Sequence, residues 1–368
     1  MGFVSLSAVS FRNLSDAEID IRGKDVFLVG ENGQGKSNFL EALYFCSYGS
    51  SFRQVRDNEM VRTGEKDCSV SIKLDGSLYD TVRVILKNGK KNITLDSKKI
   101  EDRKDLLEVA PCIVFCHEDM DFVAGSPEKR RWFFDQCQTL CNSAYLEDLR
   151  NYRRVLKTRN AILRDYKGEP ALPKETAAVL DALDPQLAQY GFSLMKKRQK
   201  AAADFSRVFE PLYREISNLD GILVSYAPSW KEESADEILK TLAGKRGADI
   251  SFGVSLSGPH RDRYIFSRKG HEFSGKASTG QRRLLALLLR VAQARFFSEA
   301  TGKNPVLLLD DVLLELDNEK RRKFLEIMPG YEQAFFTFLP GEPYDRYRKN
   351  DTIVYHIKAG NFLKENYG

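Results

Sequence analysis

The chain has 368 residues, of which 57 are Lys or Arg and 52 Asp or Glu, giving a formal charge of +5; 42% are hydrophobic and 30% charged. That length allows two or three domains with a buried core, and the composition excludes a collagen-like or wholly disordered polymer. No apolar run approaches the ~18 residues of a membrane span, and the opening MGFVSLSAVSF has no basic-then-apolar leader, so a cytoplasmic protein with no membrane partner is expected.

In chain order, the first hundred residues alternate short apolar runs with turns. Strands are predicted at 4–9, 17–21 and Asp25–Val29, then a helix at 36–47. Further strands are expected at 68–74, 81–86 and 92–95, with Asn88-Gly89 as a hairpin turn, and another at 111–116. From 128 to 166 and from 174 to 216 the pattern is charged and helical. Leu149, Tyr152, Leu156, Leu163 and Tyr166 recur at helical spacing, and the breaker-rich segment 168–173 separates the two stretches. Pro185 is expected to interrupt the second. Strands resume at 222–226 and 252–256, followed by a helix at 281–300 and strands at 305–309 and 334–338. The expected fold class is α/β: a head formed by 1–125 and 218–368, split by a helical arm at 126–217. The cysteines at 46, 68, 112, 116, 137 and 141 include no C-x-x-C pair. A zinc site with His117 can be drawn from them, but buried reduced thiols are the expectation.

Gly30-Glu-Asn-Gly-Gln-Gly-Lys-Ser37 matches G-x-x-x-x-G-K-[ST] and lies between an apolar strand and a helix. Its glycines let the backbone curl so that N–H groups and a helix N-terminus converge on an anion. Gly30, Glu31, Asn32, Gly33, Gln34, Gly35, Lys36, Ser37 and Asn38 are therefore candidate contacts for ATP. Lys36 would reach the β- and γ-phosphates, and the Ser37 hydroxyl would ligate Mg2+. A second buried strand, 305–309, ends in Asp310-Asp311. Asp310 is the candidate second Mg2+ ligand, directly or through water, and Asp311 is placed to orient or deprotonate the attacking water. Lys36, Asp310 and Asp311 form the candidate catalytic set. Alone, two aspartates after an apolar strand are an ordinary strand-to-turn motif; the Lys36 loop is what gives them chemistry. Ser278-Thr-Gly280-Gln281 likewise reads alone as a helix cap, with Gly280 allowing close approach to an anion.

In this order the three motifs resemble the phosphate loop, signature loop and acidic strand of ABC-type ATPases, in which one subunit's signature loop closes over ATP held by the other. Glu315-Leu316-Asp317 resembles their D-loop. FRN at 11–13, GENGQGKSNFLEALY at 30–44, SSFR at 50–53, PEKRRWFFD at 127–135, SGPHRD at 257–262, STGQRR at 278–283 and LLLDDVLLELD at 307–317 are similar to the RecF family, DNA replication and repair ATPases related to SMC proteins. The likeness covers nearly the whole chain. It implies an ABC-type P-loop head with an inserted helical arm and an ATP-dependent homodimer in which Ser278, Gly280 and Gln281 of one chain cover the other's nucleotide. It also implies binding of double-stranded and gapped DNA, and recombinase loading with RecR and RecO.

Some positions depart from the family pattern. Arg263 stands where a second Asp usually follows PHRD, and His117 where a proline is more usual. No glutamine follows the strand before the arm, leaving Glu118 as the substitute. No histidine follows the strand at 334–338, where Thr337 reads as an ordinary strand residue. Asp311 is shorter than the usual Glu, which by reach points to slow turnover, with hydrolysis timing release. Two competing readings are a nucleotide-binding subunit of a membrane importer and a P-loop kinase of small molecules. The helical insertion and Asp310-Asp311-Val312 argue against the first, and the signature loop against the second.

Two basic clusters remain. Arg150, Arg153, Arg154, Lys157, Arg159 and Arg164 crowd one arm helix, and Lys196, Lys197, Arg198 and Lys200 the next. Each is either a duplex-phosphate surface or a solvated helix face. No aromatic platform for single-strand stacking stands out. Arg130 and Arg131 read equally as structural ties between the arm's base and the head.

Overall fold

The computed structural model describes residues 2–217, 219–316 and 318–365. Their contacts divide the chain into two units, Met1–Asp119 with Leu289–Gly368, and Met120–Leu288. Residues 218–288, expected with the head, thus group with the helical segment.

The first unit holds two sheets. One runs in the order Asn361–Lys364, Thr352–Lys358, Asp25–Val29, Gln333–Phe338, Val306–Leu309, Cys112–Phe115; its pairings are parallel except at the Asn361–Lys364 edge. Asp25–Val29, Cys112–Phe115, Val306–Leu309 and Gln333–Phe338 are buried at every position, as parallel strands covered on both faces must be. The other sheet is antiparallel, in the order Ala17–Asp20, Gly2–Val9, Cys68–Asp75, Thr81–Lys87, Lys90–Leu95, Lys98–Lys99. Asn88 and Gly89, with φ of 50° and 71°, make its expected tight turn. The helix Lys36–Tyr48 buries Phe39, Leu40, Leu43, Tyr44 and Phe45. These join one core with Leu6, Val70 and Val84 of the antiparallel sheet and Val26, Leu308 and Phe335 of the parallel one. Each fully buried large side chain contributes about 2 kcal/mol, so the helix, and the loop at its N-terminus, is clamped from both sides.

The second unit packs the helices Pro127–Cys141, Ser143–Asp165, Lys174–Ser217 and Ala235–Phe252 with a three-stranded sheet, His271–Glu272, Arg263–Arg268, Ile222–Ala227. On the first arm helix Leu149, Tyr152 and Leu163 are buried and Leu156 packs beside them, as the spacing predicted. Pro185 does not interrupt the second arm helix, which runs unbroken through both Pro185 and Pro211. An internal proline costs roughly 3 kcal/mol. Burial of Leu180, Leu187, Ala188 and Leu194 around it outweighs that cost. Nor is 252–256 a strand. Phe252 ends the helix Ala235–Phe252, which Ser234 caps at its start and Gly253, at φ 72°, at its end. Only Ile238, Leu242 and Asp249 of that helix are buried, so it lacks the apolar stripe that would have marked it in the sequence.

Five of the six cysteines are buried, Cys141 is partly so, and all are free thiols. Among the described residues no group of three or more His, Cys, Asp or Glu side chains could hold a metal ion, and no helix is long and apolar enough to cross a membrane.

Candidate nucleotide site

The loop 30–35 leaves the buried strand Asp25–Val29 and enters the helix at Lys36. Gly35 sits at φ 117° and Gly33 at φ 77°, conformations that side chains rarely adopt. Gly30 is required for a different reason: a Cβ there would lie 2.6 Å from the Ile357 carbonyl oxygen of the neighbouring strand. Glu31, Asn32, Gly33, Gly35, Lys36, Ser37 and Asn38 line a recess of about 200 Å³, joined by Arg53 and Asp311. Gln34 faces elsewhere, its side-chain oxygen accepting from the Ala359 amide at 2.6 Å. The Lys36 ammonium donates to the carbonyls of Gly30 at 2.6 Å and Glu31 at 3.3 Å.

Sheet register brings the acidic strand to this loop. Val306–Leu309 pairs with Gln333–Phe338, which pairs with Asp25–Val29, so Asp310 emerges beside the helix N-terminus. The Ser37 hydroxyl donates to Asp310 Oδ1 at 2.7 Å. Burial, reinforced by the charges of Asp311 and Glu118 and opposed by the Ser37 hydrogen bond and the Arg53 charge, pushes the Asp310 carboxyl up to about 6. A hydroxyl and a buried carboxylate beside other carboxylates are hard oxygen donors. That is the donor set a magnesium ion requires, so the residues fit it.

Asp311 occupies a left-handed conformation at φ 54°. Thr337 holds it there: its hydroxyl accepts from the Asp311 amide and donates to Asp311 Oδ1, each at 2.7 Å. Thr337 is therefore no ordinary strand residue, as its sequence suggested, but the anchor of the acidic turn. Glu118 lies within electrostatic reach of Asp310, on the short helical turn His117–Asp119. That turn is fixed by the buried pair Arg290–Asp119 at 2.6 Å and by Asp119 accepting from the Cys116 amide at 3.0 Å.

Sequence reading assigned no role to Glu41, Arg12, Arg53 or Glu342. Glu41 is fully buried in the helix Lys36–Tyr48. It accepts from Arg12 at 2.9 and 3.0 Å, from Arg53 at 3.3 Å and from the Ser51 hydroxyl. Arg53 also donates to Asn38 at 2.8 Å, while Asn13 donates to the Gly33 carbonyl at 2.8 Å. The FRN and SSFR blocks are thus two clasps on one buried carboxylate. A charge inside the apolar run FLEALYF was the signal that could have revealed them, since a buried carboxylate demands partners. Glu342 accepts from the Leu339 amide at 3.0 Å, and burial raises its carboxyl within reach of Asp311, Arg321 and Lys36.

Ser278, Gly280 and Gln281 lie in the second unit. Ser278 and Gln281 form a reciprocal cap on the helix Thr279–Thr301, the Gln281 amide donating to the Ser278 hydroxyl at 3.2 Å and the Ser278 amide to Gln281 Oε1 at 2.9 Å. Gly280 is exposed, and nothing lies within 4 Å of a Cβ placed there, so a bulky group can approach its backbone. Of the expected D-loop, Asp317 lies outside the described residues.

The family model described as the RecF/RecN/SMC N terminal domain matches residues 4–342. A DNA replication and repair protein RecF from Treponema pallidum (strain Nichols) is 44% identical over 96% of this chain and 99% of its own length. One from Bacillus subtilis (strain 168) is 30% identical over 98% of this chain and 99% of its own. A solved structure described as the recombination mediator protein RecF-ATP in the RecFOR pathway superposes with a TM-score of 0.87 at 27% identity, over 99% of this chain and 97% of that one. An Smc head domain derived from Pyrococcus furiosus, at 15% identity and a TM-score of 0.55, covering 99% of this chain and 95% of that one, shares the fold. The chain therefore belongs to the RecF/RecN/SMC N-terminal domain family and, within it, to the RecF ATPases of DNA replication and repair, with their ABC/SMC-type P-loop fold.

Proposed function

We propose that ATP with Mg2+ occupies the recess at Lys36, that two chains close over two nucleotides, and that the closed dimer holds duplex DNA near single-stranded gaps. There it would act with RecR and RecO to load recombinase, and slow hydrolysis would reset it. The observation that carries this reading is the Ser37–Asp310 contact at 2.7 Å, which joins phosphate loop and acidic strand at one point. The similar structure described with ATP in the RecFOR pathway supports both the nucleotide and the partners.

In this reading the Lys36 ammonium exchanges the Gly30 and Glu31 carbonyls for phosphate oxygens, and the loop amides hold the remaining charge. Ser37 and Asp310 would hold Mg2+, which when bound supplies charge stabilisation to the phosphates. Asp311, fixed by Thr337, orients the attacking water and accepts its proton. Exposed Ser278 and Gly280 cover the partner chain's nucleotide. With the family established, nothing favours the importer or kinase readings.

The test is sizing by light scattering with a slowly hydrolysed ATP analogue, together with duplex-DNA binding. A nucleotide-dependent dimer is expected, lost in Lys36→Ala and Gly280→Asp, with DNA retained only when nucleotide is present. A chain that stays monomeric at saturating nucleotide and magnesium, or binds DNA equally without nucleotide, sinks the reading.

A further inference from the structure

The ten clustered arginines and lysines of the arm helices do not share one environment. Arg159 is fully buried, donating to Asp184 at 2.7 Å and Asp249 at 2.8 Å. Arg198 is buried against Asp135 at 2.8 Å and Asp262 at 2.9 Å. Lys197 is paired with Asp148 at 2.7 Å, Arg153 reaches Asp135 at 3.2 Å, and Lys196 lies over the Phe192 ring. Arg150, Arg154, Lys157 and Arg164 are exposed on the helix Ser143–Asp165, Arg154 also donating to Asn151 at 3.1 Å. At 3.6 residues per turn these four fall within an arc of about 80°. The opposite face buries Tyr145, Tyr152, Val155 and Leu163. From Arg150 to Arg164 the ridge is about 21 Å long at 1.5 Å per residue, the length of roughly six base-pair steps of duplex. Glu147 and Asp165 border it on one side, and the exposed Arg153 flanks it on the other.

We infer that this ridge, Arg150, Arg154, Lys157 and Arg164, grips the phosphate backbone of duplex DNA; the inference rests on the DNA-binding reading above and names its surface. Charge complementarity selects a polyanion. Among the described residues none of the exposed large hydrophobic side chains lies on this helix, and a helix that binds a lipid surface needs such residues at its polar boundary. Its tyrosines Tyr145 and Tyr152 are buried, so no stacking platform serves unpaired bases. A straight row of cations without aromatic or amide readers contacts backbone and does not read sequence.

The experiment measures duplex binding by the full chain with a slowly hydrolysed ATP analogue across a salt series. Each lost phosphate contact lowers the slope of log K against log salt by about 0.9. Arg154→Ala/Lys157→Ala/Arg164→Ala should therefore lower it by about 2.7 and weaken binding some 10²–10³-fold near 0.1 M salt. Lys240→Ala/Lys245→Ala, on exposed positions of Ala235–Phe252, should leave the slope unchanged, and Arg154→Lys/Arg164→Lys should keep it. All substituted side chains are exposed, and melting temperatures confirm that each variant is folded. A wild-type protein that binds DNA while the triple variant keeps its slope overturns the ridge alone. A wild-type protein that fails to bind DNA overturns the underlying reading with it. Loss of binding to phosphatidylserine vesicles with DNA binding intact would also overturn the ridge, in favour of a membrane.

Discussion

Asp311 is short, strained at φ 54° and held by one hydroxyl, so its competence depends on Thr337. Replacing Thr337 with Val keeps the buried volume but removes both hydrogen bonds to Asp311. The Asp311 amide and carboxylate both lose their anchor. Because general-base catalysis is worth about 10²–10⁴-fold, kcat for ATP hydrolysis should fall by about 10²-fold or more, while KM for ATP, set by the Lys36 loop, changes little. Steady-state kinetics on the variant separates the two, and a raised KM at constant kcat would assign Thr337 to binding instead. His260 makes a different residue-scale prediction. Its Nδ1 accepts from the Tyr152 hydroxyl at 2.7 Å and its Nε2 donates to the Ser255 carbonyl at 2.9 Å. Burial, aided by Arg261 and Arg131 and opposed by the Ser255 carbonyl and Asp262, lowers it to about 4. A group depressed in the folded state stabilises above its unfolded value and loses that contribution as pH falls. Stability should therefore decline between pH 6.5 and 4, by roughly 2–3 kcal/mol. Urea melts of wild type and His260→Gln across that range should converge at acid pH; parallel curves would exclude His260 as the source.

At the scale of elements, one helix shows why position decides the meaning of a charge. Arg159 and Arg164 are five residues apart on Ser143–Asp165, yet one is buried among Asp184, Asp249 and Ser255 and the other is exposed. Arg159→Met should destabilise the second unit by about 3–5 kcal/mol, because it strands buried carboxylates, without altering the salt slope of DNA binding. Chemical denaturation beside a salt series checks both halves of that statement. The contrast also marks what the sequence could show. The phosphate loop, its flanking strand and helix, and the Asn88-Gly89 turn are local in sequence, and their residue types dictate their geometry. Thr337 acts on Asp311 from a neighbouring strand, and Glu41 draws Arg12 and Arg53 from two separate loops, so their roles exist only once the sheet register is set. Pro185 shows the converse: a local rule overridden by tertiary packing on both sides of it.

At the scale of the whole molecule, the proposed site is divided between copies, and that division can be tested without resolving an assembly. Lys36→Ala removes the phosphate-loop half of a site, and Gly280→Asp places a carboxylate where the partner's triphosphate should approach. Each variant alone has two defective composite sites and should neither dimerise with nucleotide nor hydrolyse it. Mixed together, they form heterodimers in which one site carries both defects while the other joins an intact Lys36 to an intact Gly280. Because neither variant pairs with itself, every pair is mixed and has one sound site of two, so equal mixing should restore up to about half of wild-type hydrolysis. The recovery should grow with protein concentration as dimers form. If each chain hydrolyses ATP with its own Lys36 and its own Gly280, every chain carries one defect in its only site and mixing restores nothing. A titration of one variant into the other, followed by phosphate release, therefore decides whether catalysis belongs to the chain or to the pair.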